Sequence, residues 1–563
     1  MSILDWIIVG LYLTYITYTG VSASRGAKSL DDFLLAGRSL PWWAVGLSVM
    51  ATQMSAITLI GTTGKAYEDG LRFIQFYFGL PLAMLILCVT AVPFFRRAKV
   101  YTAYEYLERR FDAKTRTLTS ACFLISRGLS CGVIIAAPSI VLSSLLSWNE
   151  LWIIAAMGIT AVIYSMFGGV RAVTWADVRQ MAVVLVGLFT CAFVLYLKLP
   201  QQVGISGAVH LASVSGRLEA VDTRFSLKET YTLWSGLIGG LFLMLSYFGC
   251  DQSQVQRYLA AKTEAESRRS LLLNAVLKIP LQLIILFLGV LVFIFYQFEK
   301  PPLIFHSQYE DALKHGEFRE EYSLLDAEFD SSWNARRELA ITLLNEKGKN
   351  RLLAEQEYTR LSKRHSEIRQ KALAVVSRQQ KLPDYSDVNY IFPRFFLTQL
   401  PIGLVGLMVA AVFAAAMSSI SSELNALAAS SVIDIYRRHL KPEESDAHYL
   451  RASRLATLFW GVFTCVVAFY AGKLGALIEV VNQFGSYFYG SLLGVFVLAI
   501  CFKHVSSSGA FWGLILGVLS VAVIDMAPNL EISFLWYNVV GTLVVVVSAL
   551  VISFCVSYLG FDK

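Results

Sequence analysis

Thirteen runs of about 20 mainly apolar residues divide this 563-residue sequence, and they restrict the folds that the chain can adopt. A run of that length crosses the roughly 30 Å hydrocarbon core of a bilayer as an α-helix. The composition agrees, since 56% of the residues are hydrophobic and the mean hydropathy is +0.57. We therefore predict an all-α polytopic membrane protein with about 13 transmembrane helices. The predicted spans are 3–22, 41–66, 71–95, 118–147, 150–167, 174–197, 231–250, 271–297, 395–434, 453–471, 475–502, 508–527 and 533–558.

One long polar segment, 298–393, interrupts this pattern. It holds 15 Lys and Arg and 16 Asp and Glu residues. In its second half, apolar positions such as Tyr358, Ile368 and Val375 recur at intervals of four and three, which is typical of a coiled-coil seam. Gly348 separates this helix from an earlier helical stretch near 333–346. We predict a charged helical hairpin outside the membrane, with a structural role or a role in docking an accessory protein.

The loops between the spans predict the orientation of the chain. Loops near 96–116, 257–269 and 437–454 are rich in Lys and Arg, whereas the short loops near 148–150 and 528–532 have none. Basic loops stay on the cytoplasmic side, so we expect the N-terminus outside and the C-terminus inside. The protein is then a multi-pass protein of the cell membrane, taken to be a bacterial inner membrane. The net charge of +7 follows from these loops and gives no reason to expect nucleic-acid binding.

These features predict seven consecutive segments. They are a first transmembrane helix with its cytoplasmic loop at 1–40, a first five-helix repeat at 41–200, an outer loop at 201–230, the start of a second repeat at 231–297, the extracytoplasmic insertion at 298–393, the rest of the second repeat at 394–503, and two C-terminal helices at 504–563.

Four hydroxyls are concentrated in the apolar run 395–434, at Ser418, Ser419, Ser421 and Ser422. A hydroxyl in hydrocarbon needs a hydrogen-bond partner, and a serine can bond back to the carbonyl one turn earlier. Four together provide neutral oxygens suited to a small hard cation. This cluster indicates an ion-coupled transporter.

The second predicted span is also interrupted by polar residues, at Thr52, Gln53, Ser55 and Thr58. Ser55 lies about 21 Å of helix past the start of the span, near the middle of the membrane. A helix unwound there would free backbone groups to face a cavity, as in transporters with broken helices. The alternative is close helix–helix packing through small residues.

Three ionisable residues lie within predicted spans. Asp177 is a functional candidate, unless it forms a salt bridge with Arg171 or Arg179 at the cytoplasmic interface. Arg127 either faces a cavity, where it can hold a carboxylate bidentately, or it extends to the interface or pairs with an acid. Lys278 lies nearer the inner edge and is expected to extend to the interface.

Together these pieces resemble the sodium:solute symporter family. The segments that carry the resemblance are 51–58, 168–169 with 175–177, 251–252 with 256–262, and 414–425. The resemblance covers nearly the whole chain except 298–393. It implies two inverted five-helix repeats of the leucine-transporter type and alternating access around a site at the membrane midplane.

The resemblance also implies the binding residues. The conserved sodium site of the family would lie on the carbonyls of Ala51, Met54 and Ala415 and the hydroxyls of Ser418 and Ser419. A second sodium site, found in some sialic-acid transporters of the family, would lie on Asp177, Ser418, Ser421 and Ser422. Sodium is the only metal or cofactor implied. The implied substrate positions are Ser55, Thr58, Phe73, Gln75, Tyr77, Arg127, Tyr247, Asn482 and Gln483.

The expected function is sodium-coupled uptake of a small organic solute. A carboxylate such as sialic acid is favoured, because Arg127 resembles the arginine that binds the carboxylate in sialic-acid symporters. The sugar branch of the family has a glutamate on the second core helix where Tyr77 stands here. A neutral sugar or polyol symporter is the alternative, and a non-transporting membrane sensor is a third. No catalytic constellation, metal-ligand spacing or phosphate loop predicts an enzyme.

Overall fold

A computed structural model describes residues 1–23, 29–201, 203–345, 348–382, 385–471, 477–527 and 530–558. Helices make up almost all of this part of the chain. The first eleven are α1 Ile3–Ala23, α2 Leu30–Leu35, α3 Trp42–Gln53, α4 Thr63–Asp69, α5 Leu80–Val89, α6 Ala91–Ala98, α7 Ala103–Arg110, α8 Ala113–Leu146, α9 Glu150–Lys198, α10 Gly204–Val214 and α11 Gly240–Gly249. The rest are α12 Gln252–Leu259, α13 Glu264–Phe298, α14 Ser307–His315, α15 Arg319–Asn345, α16 Gly348–Gln380, α17 Val388–Gln399, α18 Leu404–Ser430, α19 Asp446–Ala471, α20 Leu477–Cys501, α21 Ser507–Met526 and α22 Phe534–Tyr558.

Nine helices in the described residues are long and apolar enough to cross a membrane. One of them, α9, contains 49 residues and is about 74 Å long, which is more than twice the thickness of the hydrocarbon core. It bends at Gly169, whose φ of 56° favours glycine, and a side chain there would collide with the backbone of Phe33. The two predicted spans 150–167 and 174–197 are therefore the two arms of this bent helix. The total of thirteen spans and the N-out, C-in orientation stay predictions.

The most deeply buried helix is α18, in which every residue from Met408 to Ser430 is buried. It packs along α9, and α1, α3, α8 and α19 also contact it. A helix that is surrounded by other helices in this way can keep polar side chains out of lipid. The serine cluster therefore lies inside the protein rather than against the bilayer.

The predicted span 395–434 begins too early in the sequence. Residues up to Gln399 belong to α17, and the membrane-length helix begins only at Leu404. Pro401 and Gly403 separate the two helices, and Gly403 has a φ of 86°. At its other end, the helix continues as a π-helix over Ser431–Leu440.

The insertion contains two long helices, α15 and α16, that pack antiparallel. Glu321 pairs with Arg378, and Glu328, further along α15, pairs with Arg364, which comes earlier in α16. The two helices therefore run in opposite directions. The helix before Gly348 begins at Arg319 rather than near 333, so it is longer than predicted.

The hairpin lies against the end of α13 rather than standing free. Trp333 Nε1 donates to the Tyr296 carbonyl at 3.0 Å, and the Tyr358 hydroxyl donates to Gln297 Oε1 at 3.0 Å. Its seam positions Tyr358, Ile368 and Val375 are buried.

Candidate functional site

The second predicted span is broken in the middle of the bundle. Helix α3 ends at Gln53, and Met54 has non-helical backbone angles of −96° and 71°. The Met54 amide donates to the carbonyls of Met50 and Ala51, both at 3.0 Å. A short π-helix, Thr58–Thr62, follows the break and leads into α4. Because the last carbonyls of a helix have no partner further along it, the end of α3 presents oxygens to its neighbours.

The serine cluster of α18 contacts this break. Ser419 Oγ donates to the Thr52 carbonyl at 2.9 Å and lies 3.4 Å from the Ala415 carbonyl of its own helix. Ser422 Oγ and Thr52 Oγ1 are 2.8 Å apart. Ser421 Oγ donates back to the carbonyl of Ser418 at 3.1 Å. Oxygens from two separate membrane segments therefore converge at one place.

Asp177 lies on the second arm of α9, is completely buried and faces the same cluster. Its two carboxylate oxygens accept hydrogen bonds from Ser48 Oγ at 2.5 Å and Ser418 Oγ at 2.7 Å. Arg257 Nη1 lies 3.8 Å from its Oδ2.

The expected alternative for Asp177, a salt bridge with Arg171 or Arg179, is not what the structure shows. Arg171 instead donates to Ser39 Oγ at 2.7 Å. Arg257, which the sequence places in a basic inner loop, is buried and only 1% exposed. The short helix α12 carries it into the core.

A small cavity adjoins the break. Its volume is about 90 Å³, well below the roughly 300–1,000 Å³ of typical ligand pockets, so a larger solute enters only when lining side chains move. The lining residues are Thr52, Gln53, Ser55, Ile57, Thr58, Phe73, Phe76, Tyr77, Arg127, Ile134, Leu243, Met244, Tyr247, Glu423 and Tyr489.

The structure brings six of the nine expected substrate residues to this cavity: Ser55, Thr58, Phe73, Tyr77, Arg127 and Tyr247.

Gln75 does not line the cavity, which corrects its assignment to the substrate site. Its Nε2 donates to the Tyr231 carbonyl at 2.8 Å and its Oε1 accepts from the Asp222 amide at 2.9 Å, so it binds the 220–231 segment instead. The side chains of Asn482 and Gln483 lie outside the described residues.

Arg127 both faces the cavity and pairs with acids. Its Nε donates to Asp251, and its Nη1 donates to Glu423 Oε1 at 2.9 Å. The rings of Tyr247 and Tyr489 lie 4.9 and 5.2 Å from the guanidinium carbon. Only Nη2 is left without a hydrogen-bond partner in the described part of the chain. Arg127 therefore meets both expectations in part, since it lines the cavity and pairs with acids. Its bidentate hold on a carboxylate stays a prediction.

Asp251 and Glu423 were missed by the sequence analysis. Glu423 lies one residue past the serine cluster, in the same apolar helix. An acid within a membrane span is a functional candidate, as Asp177 is, so the sequence contains a signal for Glu423. Asp251 caps α12, accepting from the Ser253 amide at 2.8 Å, and its burial was not visible in the sequence.

Lys278 does not extend to the interface as expected. It is 1% exposed, and its Nζ lies 5.2 Å from the centre of the Tyr77 ring. Its ammonium has no hydrogen-bond partner among the described residues. Asn274 and Gln282, one turn to either side on α13, bond Gly46 and Thr62 on the two sides of the broken span. Lys278 therefore lies between two contacts that hold α13 against this span.

Apolar helices, one of them broken at mid-span beside a buried oxygen cluster and a polar cavity, define a membrane transporter of alternating-access type. The model of the sodium:solute symporter family matches residues 33–301 and 369–517. The chain belongs to this family, and it is a multi-pass membrane transporter rather than an enzyme.

Individual relatives are similar over nearly the whole chain. The sodium/sialic acid symporter SiaT of Proteus mirabilis is 27% identical over 544 residues, which cover 95% of this chain and 92% of SiaT. The sodium/glucose cotransporter of Vibrio parahaemolyticus is 26% identical over 565 residues, which cover 97% of this chain and 90% of the cotransporter.

A solved structure of a Na⁺-coupled sialic acid symporter in a substrate-bound, outward-open state has the same fold. Its TM-score is 0.76 at 24% identity, with 98% of each chain covered. The predicted all-α fold of this family is confirmed.

Proposed function

We propose that this chain is a sodium-coupled symporter that imports a small organic carboxylate, with sialic acid as the first candidate. The relatives named for sialic acid and for glucose are almost equally similar to the chain, so similarity does not choose the substrate. The observation that carries the choice is Arg127, a buried guanidinium that lines the cavity with Nη2 free. A cationic N–H donor is the group that binds a carboxylate most strongly.

The charge around Arg127 has to be balanced for an anion to enter. When all three groups are ionised, Asp251 and Glu423 carry two negative charges and Arg127 carries one positive charge, so the group has a net charge of about −1. Lys278 Nζ lies behind Tyr77, which lines the same cavity, and it supplies a further cation when it is protonated. We therefore assign Lys278 the task of offsetting the second acid.

Sodium is the co-transported substrate, and the proposed first site consists of the Ala51, Met54 and Ala415 carbonyls with the Ser418 and Ser419 hydroxyls. The contact between Ser419 and the Thr52 carbonyl supports it, because it joins the two helices at the break. Sodium is a hard cation that prefers oxygen ligands, and these five groups supply only oxygen.

A second sodium site is proposed on Asp177, Ser418, Ser421 and Ser422. The carboxylate of Asp177 already accepts from Ser418, which places an anion beside the serine cluster. A buried carboxylate with hydroxyl neighbours offers a cation both charge and oxygen ligands.

The proposed substrate contacts are Ser55, Thr58, Phe73, Tyr77 and Tyr247 together with Arg127. Asn482 and Gln483 stay proposals that rest on the family resemblance alone.

The coupling is tested by uptake of radiolabelled N-acetylneuraminate into proteoliposomes. We expect accumulation with an inward sodium gradient and none when potassium replaces sodium on both sides. Accumulation that is independent of the gradient contradicts sodium symport. Binding of a neutral sugar, and of no carboxylate, in a thermal-shift screen with sodium present contradicts the substrate class.

The insertion is proposed to lie on the outer face, with the segment boundaries predicted from the sequence, and to have a structural role. The apolar seam of the hairpin is buried within the protein, and Trp333 and Tyr358 bond to the end of α13. Several of its charged residues also pair with each other. Docking of an accessory protein is the alternative. Crosslinking of the intact chain in membranes tests it, since a specific adduct on α15 or α16 supports docking and adducts confined to the chain itself contradict it.

A further inference from the structure

The central cavity contains a second unpaired group besides Arg127 Nη2. Glu423 is only 2% exposed and lines the cavity, and its Oε2 has no hydrogen-bond partner in the described residues. Its other oxygen, Oε1, accepts from Arg127 Nη1 at 2.9 Å. The thiol of Cys131 lies beside this carboxylate and is at most a weak donor to it.

A free donor and a free acceptor therefore lie side by side. Arg127 Nη2 can only donate, and a carboxylate oxygen of Glu423 can only accept. The same two side chains are joined by a 2.9 Å contact between Nη1 and Oε1, so the two free atoms belong to one ion pair. Both atoms are buried, and one small solute reaches them only when the side chains that line the cavity move.

A buried polar atom without a partner is costly, so both atoms need the solute. A carboxylate alone satisfies Nη2, but its oxygens repel Oε2. A solute that also carries an O–H or N–H group beside its carboxylate satisfies both.

We propose that Glu423 is a specificity-determining residue which selects carboxylates with a hydroxyl or amino donor on the carbon next to the carboxyl group. This inference rests on the proposed carboxylate function and narrows it. Sialic acid carries such a hydroxyl on the carbon that bears its carboxylate, and so does lactate. Propionate has none.

The fixed surroundings of Arg127 strengthen the selection. Asp251 holds Nε, and the rings of Tyr247 and Tyr489 lie beside the guanidinium, so the group has little freedom to turn away from Glu423. A site built to bond a donor rejects the analogue that lacks it, because its own acceptor is then left unpaired.

The test measures binding to the purified full-length protein with saturating sodium. Two pairs of ligands are compared: N-acetylneuraminate with its 2-deoxy analogue, and lactate with propionate, with alanine as the amino counterpart. We expect the donor-bearing member of a pair to bind roughly ten- to a hundredfold tighter. In Glu423→Met, which keeps the size of the side chain, this ratio should fall to about one.

Asp434→Asn is the matched control, since Asp434 is also a buried acid paired with an arginine, Arg116, but does not line the cavity. It should keep the wild-type ratio. If Glu423→Met does not fold, the affinity ratio of the wild-type protein still tests the inference, because a ratio near one overturns it. Equal affinity within each pair overturns the inference while leaving carboxylate transport intact. Binding of no carboxylate at all overturns the proposed function, and the inference with it.

Discussion

Ser419 of α18 donates a 2.9 Å hydrogen bond to the carbonyl of Thr52, in the last turn of α3 before the chain unwinds. The two residues are 367 positions apart in the sequence. The oxygen-rich helix therefore holds the end of the broken one, and an ion bound between them would depend on both.

Ser419→Ala should weaken the sodium dependence of transport. Loss of one of five oxygen ligands should raise the sodium concentration needed for half-maximal uptake by about tenfold, because a lost hydrogen bond or ligand contributes roughly 1–2 kcal/mol. The measurement is substrate uptake against sodium concentration. Ser139→Ala is the control, since Ser139 is also buried but bonds the Ile135 carbonyl of its own helix. An unchanged sodium dependence in Ser419→Ala would remove this residue from the site.

Asp177→Asn should reduce the number of sodium ions per solute from two to one. The amide keeps one acceptor oxygen for Ser48 or Ser418 and turns an N–H donor to the other hydroxyl, but it lacks the charge that a second cation requires. Parallel measurement of ²²Na⁺ and solute fluxes gives the ratio. Asp5→Asn, which changes a buried acid that accepts from the amides of Gly403 and Gly406, should keep the wild-type ratio.

Lys278→Met should make the protein more stable in detergent while weakening binding of an anionic solute. An unsatisfied buried donor costs about 1–3 kcal/mol, and methionine of similar size removes it. Stability and function are expected to oppose each other here, as they do at many binding sites. Thermal denaturation and binding assays check the two effects. Lys198→Met, at an exposed lysine bonded to Gln399, should change neither. A destabilised Lys278→Met protein would show that the ammonium has a structural role.

The main features of the site follow from local sequence signals. Polar residues at 52–58 within an apolar run predicted a break, and α3 does end at Gln53. Four serines in one apolar helix predicted a buried oxygen cluster, which α18 contains. Such features are visible because a polar group in a membrane span is exceptional in itself.

The pairings between distant residues could not be predicted in the same way. Arg127 meets Asp251 and Glu423 across 124 and 296 positions, and each of the three lies on a different helix. A single sequence gives the residue types but not which faces of the helices meet. Gln75 was misassigned for the same reason, since its partners Tyr231 and Asp222 belong to a later loop.

Glu105 in the short helix α7 should make the free energy of unfolding depend on pH. Burial raises the pKa of its carboxyl from 4.5 to about 7, and the nearby Arg116 opposes this shift only in part. The folded protein then holds this proton more tightly than the unfolded chain, so the contribution is complete below pH 4.5 and is lost as the pH rises through 7. The loss amounts to about 3 kcal/mol. Thermal denaturation from pH 4.5 to 8 measures it.

In Glu105→Gln the side chain stays neutral, so this part of the pH dependence should disappear. Glu317→Gln, at an exposed position in the insertion, should keep the wild-type curve. Identical curves for the wild type and Glu105→Gln would contradict the assignment.

Arg369 ties the insertion to the transport helices, and its loss should loosen the α4 end of the broken span. Its guanidinium bonds Asp387 and also Glu68, the latter at 3.1 Å near the end of α4. Residues 302–368 fall outside the match to the family model, so this contact joins α4 to a helix of which the model matches only the last part. Arg369→Met leaves two acids without their cation, which costs about 3–5 kcal/mol when such a pair is buried.

Thermal denaturation should show this loss for Arg369→Met. The matched control is Arg378→Met on the same helix, whose exposed pair with Glu321 contributes less than about 1 kcal/mol. In the predicted N-out orientation α4 is the outer half of the broken span, so Arg369→Met should also raise the accessibility of a cysteine placed at Thr63 to a membrane-impermeant thiol reagent. Equal stability and equal labelling in the two variants would show that the insertion rests on the transporter without restraining it.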